Sequence, residues 1–460
     1  MSEAAIAADD DPWSSGFWDA ERALVSTQSR PTPPSGASTP TAPSNPAGVR
    51  AEPVDDAARG VFDQTKVQTY EITISPLDLG RINQRPSDET KVRATLRFNG
   101  QTYGPIAFRY KGSIGAFLAP CTSQQTPIGP SPGSKVGKCS AKLDFAEYDS
   151  KLRFFGLKKL NLHSMGHDPS MMKERLGYAL YREMGVAAPR TMHARVVING
   201  RLEGLFLAVE DVDGRFTKSR FEDGGDGNLY KEVWPMYDSS ETYRQALETN
   251  EGGDVARMVA FKKAIDRGAS SAVEWLDRRY MMSYLAVDRL ILNDDGIMHW
   301  YCGAQQGNNE RRGEGNHNYY WYEGRNIERF WLIPWDLDSS FKDDPGSFTH
   351  VATAWNAQNV SCTCRIAGGA PQRAPSCDPL IRILGGYRSF YDEAVSQLVR
   401  GPFSASAIDA KLNAWSSQIQ PHVQAAAGVL DAPSTREWQS ALSQLRGVIN
   451  RSRTNRGFDY

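Results

Sequence analysis

The chain has 460 residues and a formal net charge of −1. That length accommodates two or three domains and a large buried core, and so balanced a charge argues against a nucleic-acid or polyanion binder. No apolar run approaches the roughly 20 residues needed to span a bilayer, and the acidic start MSEAAIAADDDPW lacks the basic-then-apolar pattern of a signal peptide.

Residues 1–65 are rich in Pro, Ser, Thr and Ala, as in RPTPPSGASTPTAPSNPAG. Such a composition buries too little apolar surface to fold and predicts a disordered tether. From Lys66 the pattern changes. VQTYEITIS, VRATLRFNG and PIAFRYKG alternate as strands do. ARVVING and RLEGLFLAVE meet at Asn199-Gly200, the signature of a primed hairpin turn. Between these strands the apolar spacing predicts one helix from about Ser170 to Met184, capped by Asp168 or Ser170 and stopped by Gly185. Residues 66–213 therefore read as an antiparallel sheet with one helix. Residues 214–460 read as mainly helical, with helical spacing in VARMVAFKKAIDRG, from Ala272 to Leu292, and near 379–399, 405–425 and 434–452. The fold class is α+β, and no internal repeat is visible.

All six cysteines fall in loop-like sequence. An even count in loops predicts disulfides and an oxidising compartment, hence a secreted or cell-surface protein. Cys121 and Cys139 bracket one Pro/Gly/Ser-rich loop and form the sharpest pair. Cys302 is expected to join one of Cys362, Cys364 and Cys377, leaving two that pair locally. Zinc is the rival reading, but the Cys-x-Cys spacing with its distant follower is not a usual zinc pattern.

The stretch from Leu290 to Phe341 carries the chemistry. Asp295, Asp336 and Asp338, with the amides Asn316 and Asn318, lie next to aromatic or aliphatic runs that predict buried strands. Unpaired carboxylates are costly there, and acidic plus amide oxygens suit Mg²⁺. Ile-Pro-Trp-Asp-Leu-Asp puts two acids one residue apart, and strand alternation would aim both at one face. Asp295 in Asn-Asp-Asp-Gly also reads as plain turn chemistry closing a helix. The other parts of a phosphoryl-transfer site occur in a sensible order. Lys111-Gly112-Ser113-Ile114-Gly115 follows a strand and can turn tightly. Lys142 stands in the strand start SAKLDF, where a solvated edge residue is the ordinary alternative. Glu174 lies in the first turn of the predicted helix, where an acid favours the dipole in any case. His163, His167, His299 and His317 have no metal-ligand spacing and read as ordinary hydrogen-bonding residues.

In series, these motifs resemble the spore-coat protein H (CotH) kinase family, over about residues 66–345. The matching stretches are FRYKGSIG, GLKKLNLHSMGHDPSMMKERLGYALYREMGVAAPRT, ARVVINGRLEGLFLAVEDVDGRF, GNLYKE, LAVDRLILNDDGI, HNYYWY and IPWDLDSSF. The resemblance implies a two-lobed, atypical protein-kinase-like fold with a β-rich N-lobe (66–213) and a mainly helical C-lobe (214–460). It implies ATP- and Mg²⁺-dependent phosphorylation of Ser or Thr in a protein, with Mn²⁺ as the substitute metal. Asp295 then corresponds to the catalytic aspartate, Asp336 to the metal-binding aspartate, and Asn318 to a metal-binding asparagine, with Asp338 beside them. Lys142 and Glu174 are expected to form the ion pair that positions the phosphates, and Lys111 is the alternative phosphate lysine. Gly112 and Ser113 would cover the nucleotide, and Glu210 to Asp213 would form the hinge near the adenine. Two inserts depart from a compact family member, at 300–315 and between Cys121 and Cys139. Two other readings stay open: a kinase-like surface adhesin without activity, and a kinase-fold enzyme that transfers AMP or ligates an amino acid.

Overall fold

The computed structural model describes residues 48–456 except 51, 54–55, 113–120, 123–132, 303–314, 326–328, 344–354, 357–359, 368–369 and 431. The tether expected over residues 1–65 lies outside them up to residue 47, but its last part is not a tether: Ala57–Gly60 form a 3-10 turn, and Ala58, Val61 and Phe62 are buried in the barrel core. The fold is mixed α and β, built round a seven-stranded barrel. Its strands are β1 (Gln68–Ile74), β2 (Val92–Phe98), β3 (Gln101–Tyr110), β4 (Ala141–Asp144), β5 (Lys159–His163), β6 (Thr191–Ile198) and β7 (Arg201–Glu210). Helix α1 (Pro76–Gln84) follows β1, and α2 (Lys173–Glu183) lies between β5 and β6.

The sheet is not the simple antiparallel one that the sequence predicts. Its order is β1-β2-β3-β4-β5-β7-β6, and it closes through a parallel pairing of β1 with β6, Tyr70 opposite Val196. Asn199 fixes this closure. It takes the left-handed conformation at the β6–β7 turn (φ 49°), and its side-chain amide makes two 2.9 Å bonds to the backbone of Ile74 at the end of β1. Closure leaves no open edge in this sheet. Inside, Ile72, Leu96, Phe108, Leu143, Leu160 and Phe206 form one apolar core. Strand β7 is buried on both faces, because Leu205, Leu207 and Val209 belong to a second core that runs through the rest of the chain. This explains why residues 205–209 form a continuous apolar run rather than an alternating one.

Helix α2 starts at Lys173, three residues after the predicted start. The N-cap is Met172, without a side-chain cap, rather than Asp168 or Ser170; Asp168 still accepts from the backbone N–H of Lys173 (2.8 Å) and of Ser170, and Gly185 (φ 76°) ends the helix. After β7 come α3 (Gly214–Arg220), β8 (Asn228–Lys231), α4 (Ser240–Gln245), α5 (Ala256–Arg267), α6 (Ala269–Ala272) and α7 (Arg278–Leu290). Then follow β9 (Trp300–Tyr301), β10 (Tyr319–Glu323), β11 (Phe330–Pro334), β12 (Arg365–Ala367) and β13 (Ala370–Arg373). The chain continues with α8 (Pro379–Gly385), α9 (Arg388–Arg400), α10 (Ala405–Ala426) and α11 (Thr435–Thr454). Strands β8, β10 and β11 form a small sheet in the order β11-β10-β8, and β9 pairs with β13. Helix α7 is buried from Tyr280 to Leu290, and it delivers the chain to the Asn-Asp-Asp-Gly turn.

Three disulfides are present: Cys121–Cys139, Cys302–Cys364 and Cys362–Cys377. They match the expected pairing and show which of the later three cysteines Cys302 joins. No described helix is long and apolar enough to cross a membrane.

Candidate active site

Alternate residues of three neighbouring barrel strands face one cleft. Arg109 with Lys111 just beyond β3, Lys142 and Asp144 on β4, and Lys159 and Asn161 on β5 line it, while Phe108, Leu143 and Leu160 point into the barrel. Lys91, Lys231, Asp211, Glu248, Tyr320 and Trp335 contribute to the rest of a cavity of about 270 Å³. Six cationic side chains (Lys91, Arg109, Lys111, Lys142, Lys159, Lys231) stand against three carboxylates (Asp144, Asp211, Glu248). The cleft therefore carries a local formal excess of three positive charges on a chain of net −1. Such a concentration of one sign attracts a compact anion.

At the Trp335 side of the cleft lies a cluster of acids. Strands β10 and β11 are antiparallel, so the start of one adjoins the end of the other, and the backbone N–H of Trp335 donates to the carbonyl of Asn318 (3.1 Å). The Asn318 side-chain N–H donates to Asp295, at 2.8 Å to its carbonyl and 3.0 Å to its carboxylate. Asp295, Asn318 and Asp336 are thus brought together from three places in the sequence. Tyr301 donates to the Asp295 carboxylate (3.0 Å). The loop beneath is held by Asp288 of α7, which accepts from the Asn293 side chain (2.9 Å). Gly296 is required there, since a Cβ would lie 2.2 Å from the Asn293 amide.

Asp336 and Asp338 do not share a strand face as alternation predicts. Strand β11 stops at Pro334, Asp336 takes the left-handed conformation (φ 49°), and Asp338 lies in a 3-10 turn, Leu337–Ser339. Proline and the left-handed residue end the extended backbone. The Asp336 N–H donates to the Tyr178 hydroxyl of α2 (2.9 Å), which seats this turn on the helix that carries Glu174. Gly177 permits the approach, since a Cβ there would lie 2.9 Å from Leu337.

The expected Lys142–Glu174 ion pair is absent. Lys142 pairs with Asp211 (2.7 Å), which also accepts from Asn161 (2.8 Å), because β4 and β5 both direct these side chains toward the end of β7. Glu174 is bonded instead to His163 Nδ1 (2.7 Å), and His163 Nε2 lies 2.9 Å from Lys111 Nζ. Glu210 is not a cleft residue. Its buried carboxylate is bound by Arg190 (2.6 Å), Arg220 (2.8 Å) and Arg215 (3.2 Å). Burial would raise its pKa, yet the arginines hold it down to about 2. Its neighbour Asp211 faces the cleft. The Gly112 N–H donates to Glu89 (2.9 Å), and Ser113 lies outside the described residues.

The acids repel one another. Burial, with Asp336 nearby, pushes the Glu174 carboxyl well above its ordinary range. Burial followed by Asp336, Glu174 and Asp295 does the same to Asp338. Burial also raises Asp295. Ligand atoms of His163, Glu174 and Asp336 lie within 4.8 Å of one another. A divalent cation would satisfy these oxygens. The Asn318 amide nitrogen is committed to Asp295, so its oxygen is the atom left to offer. Carboxylate and amide oxygens fit Mg²⁺.

Sequence reads His163 only as an ordinary hydrogen-bonding residue and Asp211 only as part of the hinge, and it gives no reading of Tyr301 or Asp288, yet all four belong to the site or its support. Asn161 and His163 carried a usable signal: two polar residues on one face of the buried strand KLNLH. The partners of Asp211 and Tyr301 are set by tertiary packing and leave no local trace.

The family described as CotH kinase protein matches this chain over residues 109–455. The inner spore coat protein H of Bacillus subtilis (strain 168) is 20% identical over 378 residues, which cover 78% of this chain and 89% of that relative. The inner spore coat protein H-like protein of the same organism is 36% identical over 56 residues, 12% of this chain and 18% of that relative. The family match spans Lys111, the acid cluster and all of α11.

Proposed function

Given that the chain belongs to the CotH kinase protein family, we propose that it is an ATP- and Mg²⁺-dependent protein kinase that phosphorylates Ser or Thr of a secreted or surface protein. The observation that carries this reading is the abutment of a cationic cleft on a cluster of carboxylate and amide oxygens. A triphosphate needs the first and its metal the second. In this reading the barrel is the N-lobe and the helical remainder the C-lobe, with the segment after β7 as the hinge. Three disulfides support an oxidising location.

Lys142, held by Asp211, and Lys111 bind the phosphate oxygens. Asp336 and Asn318 hold Mg²⁺, with Asp338 and Glu174 adjacent. Bound there, Mg²⁺ would supply charge neutralisation to the triphosphate. Asp295 accepts the proton of the substrate hydroxyl, and Tyr301 and Asn318 fix the orientation of its carboxylate. The Glu210 carboxylate stays with its arginines and is not available to adenine.

Incubation of the full chain and candidate surface proteins with ATP and Mg²⁺ or Mn²⁺, followed by intact-mass analysis, tests this. A phosphate addition is the expected result. A nucleotide or glutamate addition would replace phosphorylation by AMP transfer or ligation. No addition, together with no metal-dependent ATP binding by calorimetry, would make the protein a binding module.

A further inference from the structure

Lys111 and Glu174 are joined through a third side chain. His163, at the end of β5, is buried, with its ring edge against Trp335 at 5.7 Å. One ring nitrogen lies 2.9 Å from Lys111 Nζ and the other 2.7 Å from the Glu174 carboxylate. With Lys111 as an ammonium, which only donates, Nε2 accepts and Nδ1 carries the proton that it donates to Glu174; burial lowers the proton affinity of Lys111 and raises that of Glu174, so the position of the ring proton decides the direction. The donors then run in one direction, from Lys111 through a neutral imidazole to the Glu174 carboxyl group. Such a chain strengthens each of its bonds in a water-poor setting. Lys111 also lies 5.4 Å from the centre of the Trp335 ring, so the residue before Asp336 touches the same assembly.

We infer that His163 is a positioning residue that relays the hold of Glu174 to Lys111, so that Lys111 is the phosphate-contacting lysine tied to helix α2. Lys142 is excluded from that tie because Asp211 and Asn161 already occupy its surroundings. The inference rests on the kinase reading for the role of Lys111, but its geometry can be tested without that reading. A movement of α2 would reach Lys111 through the imidazole ring. Glu174 lies one residue into α2, and the Asp336 turn rests on the same helix through Tyr178 and Gly177. The lysine and the metal-holding turn are therefore registered to one element.

Two measurements on the full chain test it. The first is ¹⁵N NMR of the histidine rings, which should show His163 protonated at Nδ1, with its signals shifting in Lys111→Met and in Glu174→Gln. A ring protonated only at Nε2, or one unmoved by both substitutions, overturns the relay whether or not the protein is a kinase. The second is a double-mutant cycle on ATP-dependent transfer. His163→Ala is expected to lower kcat/KM at least tenfold, with partial rescue by added imidazole, yet to add nothing in a Lys111→Ala background. Equal losses in both backgrounds would make His163 only a packing residue. If wild type transfers nothing while the ring signals behave as described, the kinase reading fails and the relay stands.

Discussion

At Asp336 two demands conflict. The residue is held in the left-handed conformation, with its N–H bonded to Tyr178 and its carboxylate raising the proton affinity of Glu174 and Asp338. Clustered like charge is unfavourable in the fold and useful to a cation, the usual conflict between stability and activity. Asp336→Asn keeps a residue that tolerates this backbone and removes the charge. It should abolish ATP-dependent transfer while raising the metal-free Tm; transfer at the wild-type rate would refute the metal role. Glu210 shows the opposite balance. Its folded-state pKa of about 2 lies below the ordinary 4.5, so its contribution is present above about pH 4.5 and is lost as pH falls toward 2. The span of roughly 2.5 units corresponds to about 3 kcal/mol at most. Glu210→Gln leaves three buried or half-buried arginines under-neutralised and should cost about 3–5 kcal/mol at neutral pH, read by urea denaturation, and should flatten the acid limb of the stability profile. Sequence draws attention to both acids, Asp336 by its position after an apolar strand and Glu210 only as the start of the hinge that the family resemblance implies. It could not separate their roles, because the arginines come from positions 190, 215 and 220 and converge only in the folded chain.

Elements succeed here where their signals are local. The glycine stop of α2 and the Asn199-Gly200 turn are legible because each is decided within a few residues. The barrel closure was not, since β1 and β6 are more than a hundred residues apart and parallel pairing has no turn signature. The meeting of α2 with the Asp336 turn was also hidden, and it depends on Gly177. Gly177→Leu should push the two apart, lowering stability by about 1–3 kcal/mol and transfer activity by more than the loss of folded protein explains. A melt and an activity assay on the folded fraction would check this; full activity would deny the turn its dependence on α2. The clip around β9 gives a second case. Cys302 follows Tyr301, whose hydroxyl bonds Asp295, and its bridge to Cys364 spans 62 residues. Chain entropy assigns such a loop about 4 kcal/mol. Replacing Cys302 and Cys364 by Ser should lower the Tm and slow transfer, and Tyr301→Phe should reproduce the slowing with a much smaller change in Tm.

Over the whole molecule, charge is nearly balanced, while the cleft holds an excess of three positive charges. Nucleotide capture should therefore weaken with ionic strength: KM for ATP should rise between low and physiological salt as the Debye length shrinks from about 30 to about 8 Å. A KM insensitive to added KCl would argue against the cleft as the phosphate site. The sequence total hides this polarity, because opposite charges lie elsewhere on the surface.

The parallel seam between β1 and β6 has a consequence for biosynthesis. The first strand leaves the ribosome at Gln68, but its lateral neighbour is complete only at Ile198. At roughly 5–20 residues per second the nascent chain carries an unmatched strand flank for about 10 s. During that interval it is a candidate client for a holding chaperone, and truncations ending before Ile198 should aggregate where slightly longer ones do not.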